Sequence, residues 1–306
     1  AEMPADQLDS YKDASNLNLV GSLESAYEYI SFNLGKYDEA SEKNIMDENA
    51  KMNDVKLRQA IAYAIDTKTA GEKLYNGLYH PATSLIISFF GDLHDSEVEG
   101  YSYDPDKANE LLDEAGYKDV DGDGIREGKD GKEFKITFAA RKRTEANEAL
   151  VQQYIAWWKE VGLNVELYTG RTVEINTFYD AIQANDASID MYAGGWSTGY
   201  DPNPNGLWGE TAPFNMSRFV DEKNTELLDA IGSVASFDEK TNLKNYKAWQ
   251  EYAFEQAFAI PTFESEAITA VNKRVKNFDT NYGSASENGI ALENIELTAD
   301  KGVAAE

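Results

Sequence analysis

The stretch Phe134–Tyr168, FKITFAARKRTEANEALVQQYIAWWKEVGLNVELY, decides the fold. Phe134 to Ala139 alternates in strand fashion. Glu145 to Val161 then carries Leu150, Tyr154, Trp157, Trp158 and Val161 at helical spacing, and Gly162 closes the helix. Leu163 to Tyr168 reads as a second strand. A β-α-β unit of this kind requires a right-handed crossover and a parallel strand pair, so the stretch predicts an α/β domain with helices packed on its sheet.

Upstream, NDVKLRQAIAYAID at Asn53–Asp66 spaces Leu57, Ile61 and Ile65 as a helix behind an Asn/Asp cap, and a short second helix is expected to stop near Gly77. Asp104 and Pro105 supply an N-cap and an N1 proline, Ala108, Leu111, Leu112 and Ala115 line one face, and Gly116 stands where the chain must leave the helix. Ala26 to Asn33 alternates as a strand, while Lys36 to Ala50 reads as a polar surface connection at a domain boundary. Downstream, a helix is predicted at Val173–Ala184, a strand at Ile189–Ala193, helices at Asn224–Val234 and Glu239–Glu255, and a strand at Phe258–Phe263. Between them, Gly194–Asn215 (GGWSTGYDPNPNGLWGETAPFN) shows neither period and is broken by Pro202, Pro204 and Pro213. It nevertheless carries Trp196, Tyr200, Trp208 and Phe214. A long aromatic-rich loop inside a compact domain is a candidate for function.

Composition narrows the classes. A chain of 306 residues with 42% hydrophobic and 27% charged residues folds around a sizeable core. The net charge of −27 repels phosphate backbones and anionic headgroups, so nucleic acid is not an expected partner. The absence of cysteine excludes disulfides, thiolate nucleophiles and thiolate metal sites. No apolar stretch reaches spanning length, and Ala1–Ser10 lacks the form of a signal peptide, so any export signal is expected to have been removed or to lie outside this chain.

Two motifs invite chemistry. Gly195-Trp196-Ser197-Thr198-Gly199 matches the G-x-S-x-G elbow of serine hydrolases. That elbow must run into a helix, which Tyr200-Asp201-Pro202-Asn203-Pro204 cannot form, and the required later histidine is missing because His80 and His94 both precede Ser197. Asp119, Asp121, Asp123, Glu127 and Asp130 fall at calcium-loop positions 1, 3, 5, 9 and 12, with Gly124 at 6. Position 12 is Asp, Arg126 occupies the usual apolar position, and a strand follows, so an acidic surface turn competes with a structural Ca²⁺ site. Carboxylate pairs carry no signal among 55 acidic residues, and the two histidines stand alone.

Laid out in this way, the chain resembles the extracytoplasmic oligopeptide-binding proteins of ABC importers, in particular the Gram-positive branch of solute-binding protein family 5. NDVKLRQAIAYAID, YDPDKANELLDEAGY with DGDGIREGKDG, WWKEVGLNVEL, GGWSTGYDPNPNGLWGETAPFN and FAIPTF are similar to that family's motifs and stand in its order, over most of Met3 to Asn281. The resemblance implies a two-lobed periplasmic-binding-protein-like fold (type II, cluster C). This chain would be mainly the C-terminal lobe, a mixed sheet flanked by helices at 42–266. Residues 1–41 and 267–306 would belong to the hinge and N-terminal lobe.

It further implies a non-enzymatic receptor that captures extended oligopeptides in an interlobe cleft, a membrane permease as partner, a monomeric state, and an extracellular lipoprotein whose anchor is absent from this chain. Oligosaccharide is the alternative solute, since aromatic walls suit sugars; nickel chelates and haem find little support in two histidines and no cysteine. Trp196, Ser197, Tyr200, Asp201, Asn203, Phe214 and Asn215 are the expected ligand-facing positions: aromatic walls from Trp196, Tyr200 and Phe214, amide partners from Ser197, Asn203 and Asn215. Members that clamp short peptides carry an aspartate three residues after the loop tryptophan and an arginine three before it. Gly199 and Ala193 occupy those places here, which implies longer peptides, with Asp201 as a substitute partner for the ligand amine.

Overall fold

The computed structural model of the chain describes residues 2–3, 7–278 and 292–305; the remaining parts of the expected 1–41 and 267–306 segments lie outside the described residues. Its strands are β1 (Glu2–Met3), β2 (Leu17–Phe32), β3 (Gly35–Asp38), β4 (Lys43–Met46), β5 (Tyr79–Pro81), β6 (Lys135–Ala139), β7 (Asn164–Leu167), β8 (Met191–Ser197), β9 (Ala259–Asn272) and the short pair β10 (Val275–Lys276) and β11 (Glu296–Leu297). Its α-helices are α1 (Leu8–Tyr11), α2 (Val55–Tyr63), α3 (Thr67–Leu74), α4 (Pro105–Ala115), α5 (Glu145–Glu160), α6 (Ile175–Gln183), α7 (Asn205–Trp208), α8 (Glu222–Ile231) and α9 (Glu239–Gln256). The main sheet is mixed, in the order β1-β9-β2-β8-β6-β7 with β5 added beside β9.

The β6-α5-β7 unit forms as expected, with β6 and β7 parallel from Lys135 opposite Asn164 to Phe138 opposite Leu167. Thr144 caps α5 by accepting the Asn147 N–H, and Leu150, Val151, Tyr154, Trp157 and Trp158 bury its inner face. The Trp158 indole N–H donates to the Ile61 carbonyl at 3.0 Å, which locks α5 against α2 and satisfies the one polar atom of a fully buried ring. In α4, Asp104 accepts the Lys107 N–H and Gly116 takes φ +91°, a left-handed exit that a side chain would strain.

Three expectations are amended. Lys36–Ala50 is exposed over most of its length, as a surface connection should be, but it holds an unexpected hairpin: β3 and β4 pair within it, and the buried Asn44 amide donates to the Glu210 and Ala212 carbonyls at 2.8 Å each. Tertiary hydrogen bonds here outweigh a polar composition. The strand at Phe258–Phe263 belongs to a longer one, since β9 runs to Asn272 against β2, from Ser31 opposite Ala259 to Leu17 opposite Asn272. The outer halves of both strands are half-exposed and lack a clean alternation, so backbone pairing rather than patterning holds them. Finally, Gly194–Ser197 is strand, paired with Ala26–Tyr29, and only the residues after it form the loop.

Gly194 shows how tightly the sheet packs on the loop side. A Cβ there would meet the Tyr29 ring at 2.7 Å from Cζ, and Tyr29 is itself wedged edge-on against Trp208 and Tyr192. Gly194→Ala is expected to cost about 1–3 kcal/mol of stability through overpacking, read as a lowered urea midpoint.

Candidate functional site

The site is built where β8 outruns β6. β6 pairs with β8 only at Met191 and Tyr192, and beyond Ala139 its chain turns away, with Arg141 bridging to Val173 before the Thr144 cap. β8 continues to Ser197 against β2 alone. Among the described residues, no strand pairs with Ala193–Ser197 on the β6 side, so that edge offers backbone groups to an added strand.

Aromatic side chains gather beyond this edge. Trp196 is half-buried and its ring lies 5.6 Å from that of Phe214, which is 45% exposed. Tyr200 is 61% exposed, with its ring 6.5 Å from Phe89. Phe89 packs edge-on against Phe90 at 5.4 Å, on the 3₁₀ segment Ser88–Leu93. These two phenylalanines were missed in the sequence reading. Their only signal is a Phe-Phe pair in a segment of no period, which tertiary placement alone turns into a neighbour of Tyr200.

The other expected positions divide. Ser197 is exposed at the strand end, on the sheet face opposite Trp196, because successive residues alternate. Asp201 accepts the Asn203 N–H at 2.9 Å and Asn203 accepts the Asn205 N–H at 3.0 Å, so both exposed side chains also shape the turn. Asn215 is a correction. It is fully buried, its amide donates to the Gly209 and Phe219 carbonyls at 3.1 and 3.0 Å, and it braces the loop internally rather than facing a ligand.

The brace extends to Arg218, a buried side chain on a left-handed backbone (φ +58°) that donates to Asn44 Oδ1, Asn185 Oδ1 and the Gln183 carbonyl. Trp208, on α7, anchors the loop from below between Tyr29 and Phe258, at ring distances of 5.5 and 5.3 Å. Rigid anchors of this kind let the loop expose Phe214 and Tyr200 without collapsing onto the sheet.

The acidic loop assembles less than its spacing suggested. Asp119, Asp121 and Asp123 bring one oxygen each within 4.8 Å of one another. Each also accepts backbone N–H groups of its own turn, at Gly122 and Gly124, Asp123, and Ile125 respectively. Glu127 accepts the Val120 N–H and Asp130 pairs with Lys132, and of the five expected ligands only Asp119, Asp121 and Asp123 bring their oxygens together. Each histidine is engaged elsewhere: the His94 Nδ1 is 2.6 Å from the Ile86 carbonyl, and the His80 Nε2 is 3.7 Å from Glu266.

Comparison with known proteins bears on this geometry. Residues 1–218 match the family described as bacterial extracellular solute-binding proteins, family 5 middle. The oligopeptide-binding protein OppA of Lactococcus lactis subsp. cremoris is 35% identical over 287 residues, which cover 92% of this chain and 47% of that protein. Lactococcal OppA, solved with an endogenous peptide in the closed conformation, superposes with a TM-score of 0.86 at 33% identity, over 96% of this chain and 54% of that one. The oligopeptide-binding protein AppA of Bacillus subtilis, solved with a nonapeptide, shares the fold at a TM-score of 0.75 and 21% identity, over 97% of this chain and 55% of that one. The chain thus spans about half the length of the relatives it matches. Among the described residues, no helix is long and apolar enough to cross a membrane.

Proposed function

This chain belongs to the bacterial extracellular solute-binding proteins of family 5, and from that premise we propose that it serves the substrate-binding component of an ABC importer and captures extended oligopeptides. One observation carries the reading: the edge of β8 at Ala193–Ser197, unpaired on the β6 side among the described residues, with Trp196, Phe214, Tyr200 and Phe89 beside it. An extended peptide adds to such an edge through main-chain hydrogen bonds, which are blind to sequence, while aromatic faces hold varied side chains at little entropic cost. A receptor of this kind works at the cell surface, delivers to a membrane permease, and needs no chemistry of its own. Ser197 and Asn203 supply polar contacts, and Asp201 is the candidate partner for a ligand amine.

Ala193 and Gly199 carry no charge where short-peptide receptors place a clamp, so chain length is not measured from the termini. Titration calorimetry is expected to show binding of nonapeptides and none of dipeptides; a preference for dipeptides contradicts the reading. Tyr200→Ala is expected to weaken nonapeptide binding about tenfold, as loss of an exposed aromatic anchor does, while stability shifts by less than about 0.5 kcal/mol.

A further inference from the structure

Beside the free edge of β8, on the face that carries Glu28 and Gly195, lies a cavity of about 30 Å³. It has room for roughly two water molecules, the size of a carboxylate group. Glu28, Arg141, Arg143, Tyr75, Tyr154 and Asn147 contribute its polar lining. Arg143 Nη1 stands 2.5 Å from Glu28 Oε1, and Arg141 Nη2 stands 3.6 Å from Glu28 Oε2. Two guanidiniums therefore share a single carboxylate, a local cationic excess in a chain of net charge −27.

The remaining groups also suit an anion. Tyr75, stacked on Tyr79 at 4.0 Å, keeps its proton because burial pushes its hydroxyl up to about 12. Asn147 lies in the first turn of α5, at the helix end that favours negative charge, and its carboxamide nitrogen is the atom of that side chain that can donate to a carboxylate. Gly195 lets the β8 backbone approach this cluster, since a Cβ there would sit 2.9 Å from Glu28 Oε2 and 3.2 Å from Arg141 Nη2.

We propose that this pocket selects a carboxylate-bearing side chain of a peptide lying along Ala193–Ser197, with Arg141 and Arg143 as the recognising cations. Glu28 is the tethered carboxylate that neutralises them when no ligand does. The proposal rests on the oligopeptide reading and deepens it into a preference for Asp or Glu at one ligand position. Alternation along an added strand sends every second side chain toward this face, so a single register brings one acidic residue to the arginines. An isosteric amide would leave a guanidinium without its charged partner.

The test is a set of nonapeptides in which one Glu is moved along a neutral host sequence, each compared with its Gln counterpart and made with either a free or an amidated C-terminus. At one position Glu is expected to bind at least about tenfold tighter than Gln, the scale of a charge-assisted bond in a partly buried site. Arg143→Gln is expected to bring that ratio below about twofold, and Glu28→Gln to raise it by removing the internal competitor. Should Arg143→Gln fail to fold, the Glu28→Gln ratio decides alone. Equal binding of Glu and Gln peptides at every position overturns the proposal and leaves the oligopeptide reading standing. A difference confined to free against amidated termini also overturns it, because the carboxylate then comes from the chain end. If no peptide of the set binds, the oligopeptide reading fails and this proposal falls with it.

Discussion

Arg58→Ala is expected to lower the unfolding free energy by about 3–5 kcal/mol, because it strands buried carbonyls that the guanidinium now satisfies. Arg58 is 1% exposed and has no carboxylate among its hydrogen-bond partners. Its Nη1 donates to the Met52 carbonyl at 2.8 Å, its Nη2 to Gln256 at 2.7 Å and its Nε to Ala257 at 3.1 Å. The last two carbonyls close α9, where Ala257 turns left-handed at φ +49°. A cation there meets the negative end of the helix dipole. Burial pulls the guanidinium down to about 10, far enough above neutrality that it stays charged. Arg58→Lys is expected to recover little, since an ammonium cannot reproduce the planar fork. Urea unfolding of both variants checks this; a loss below about 1 kcal/mol for Arg58→Ala would show that water replaces the fork.

Trp208→Ala carries the second large effect, about 3–5 kcal/mol, the range for deleting a buried aromatic side chain. Trp208 is 2% exposed, packs on Tyr29 and Phe258, and lends its carbonyl to the Asn224 amide at 2.9 Å. It is the point where the loop after β8 is pinned to the core, so its removal also frees the segment that carries Phe214. Nonapeptide affinity is therefore expected to fall together with stability, whereas Tyr200→Ala separates the two. Measuring both quantities on both variants distinguishes a residue that positions the loop from one that the loop presents. A Trp208→Ala protein of unchanged affinity would show that Phe214 is held by Arg218 and Asn215 instead.

The aromatic content of Gly194–Asn215 was legible, but its division was not. Trp196, Tyr200, Trp208 and Phe214 look alike in a segment without period, yet Trp208 is core, Trp196 is half-buried, and Tyr200 and Phe214 are exposed. Asn215 and Asn203 are the same residue type, and the fold makes one an internal brace and leaves the other at the surface. Phe89 comes to Tyr200 from across the chain, with nothing local to announce it. The pair Glu28 and Arg143 was equally unreadable, since the two residues are 115 positions apart.

By itself the sequence determined the elements that local physics specifies: the capped helices α2, α4 and α5 and the parallel β6-α5-β7 unit. Their signals are capping residues, glycine exits and apolar spacing, each decided within a few residues along the chain. Only the tertiary structure decided the β3–β4 hairpin, the reach of β2 and β9, the free edge of β8 and the charge pair beneath it. Those depend on which distant strands pair and where a neighbouring strand stops, and hydrogen bonding between remote segments leaves no period in the sequence that it joins.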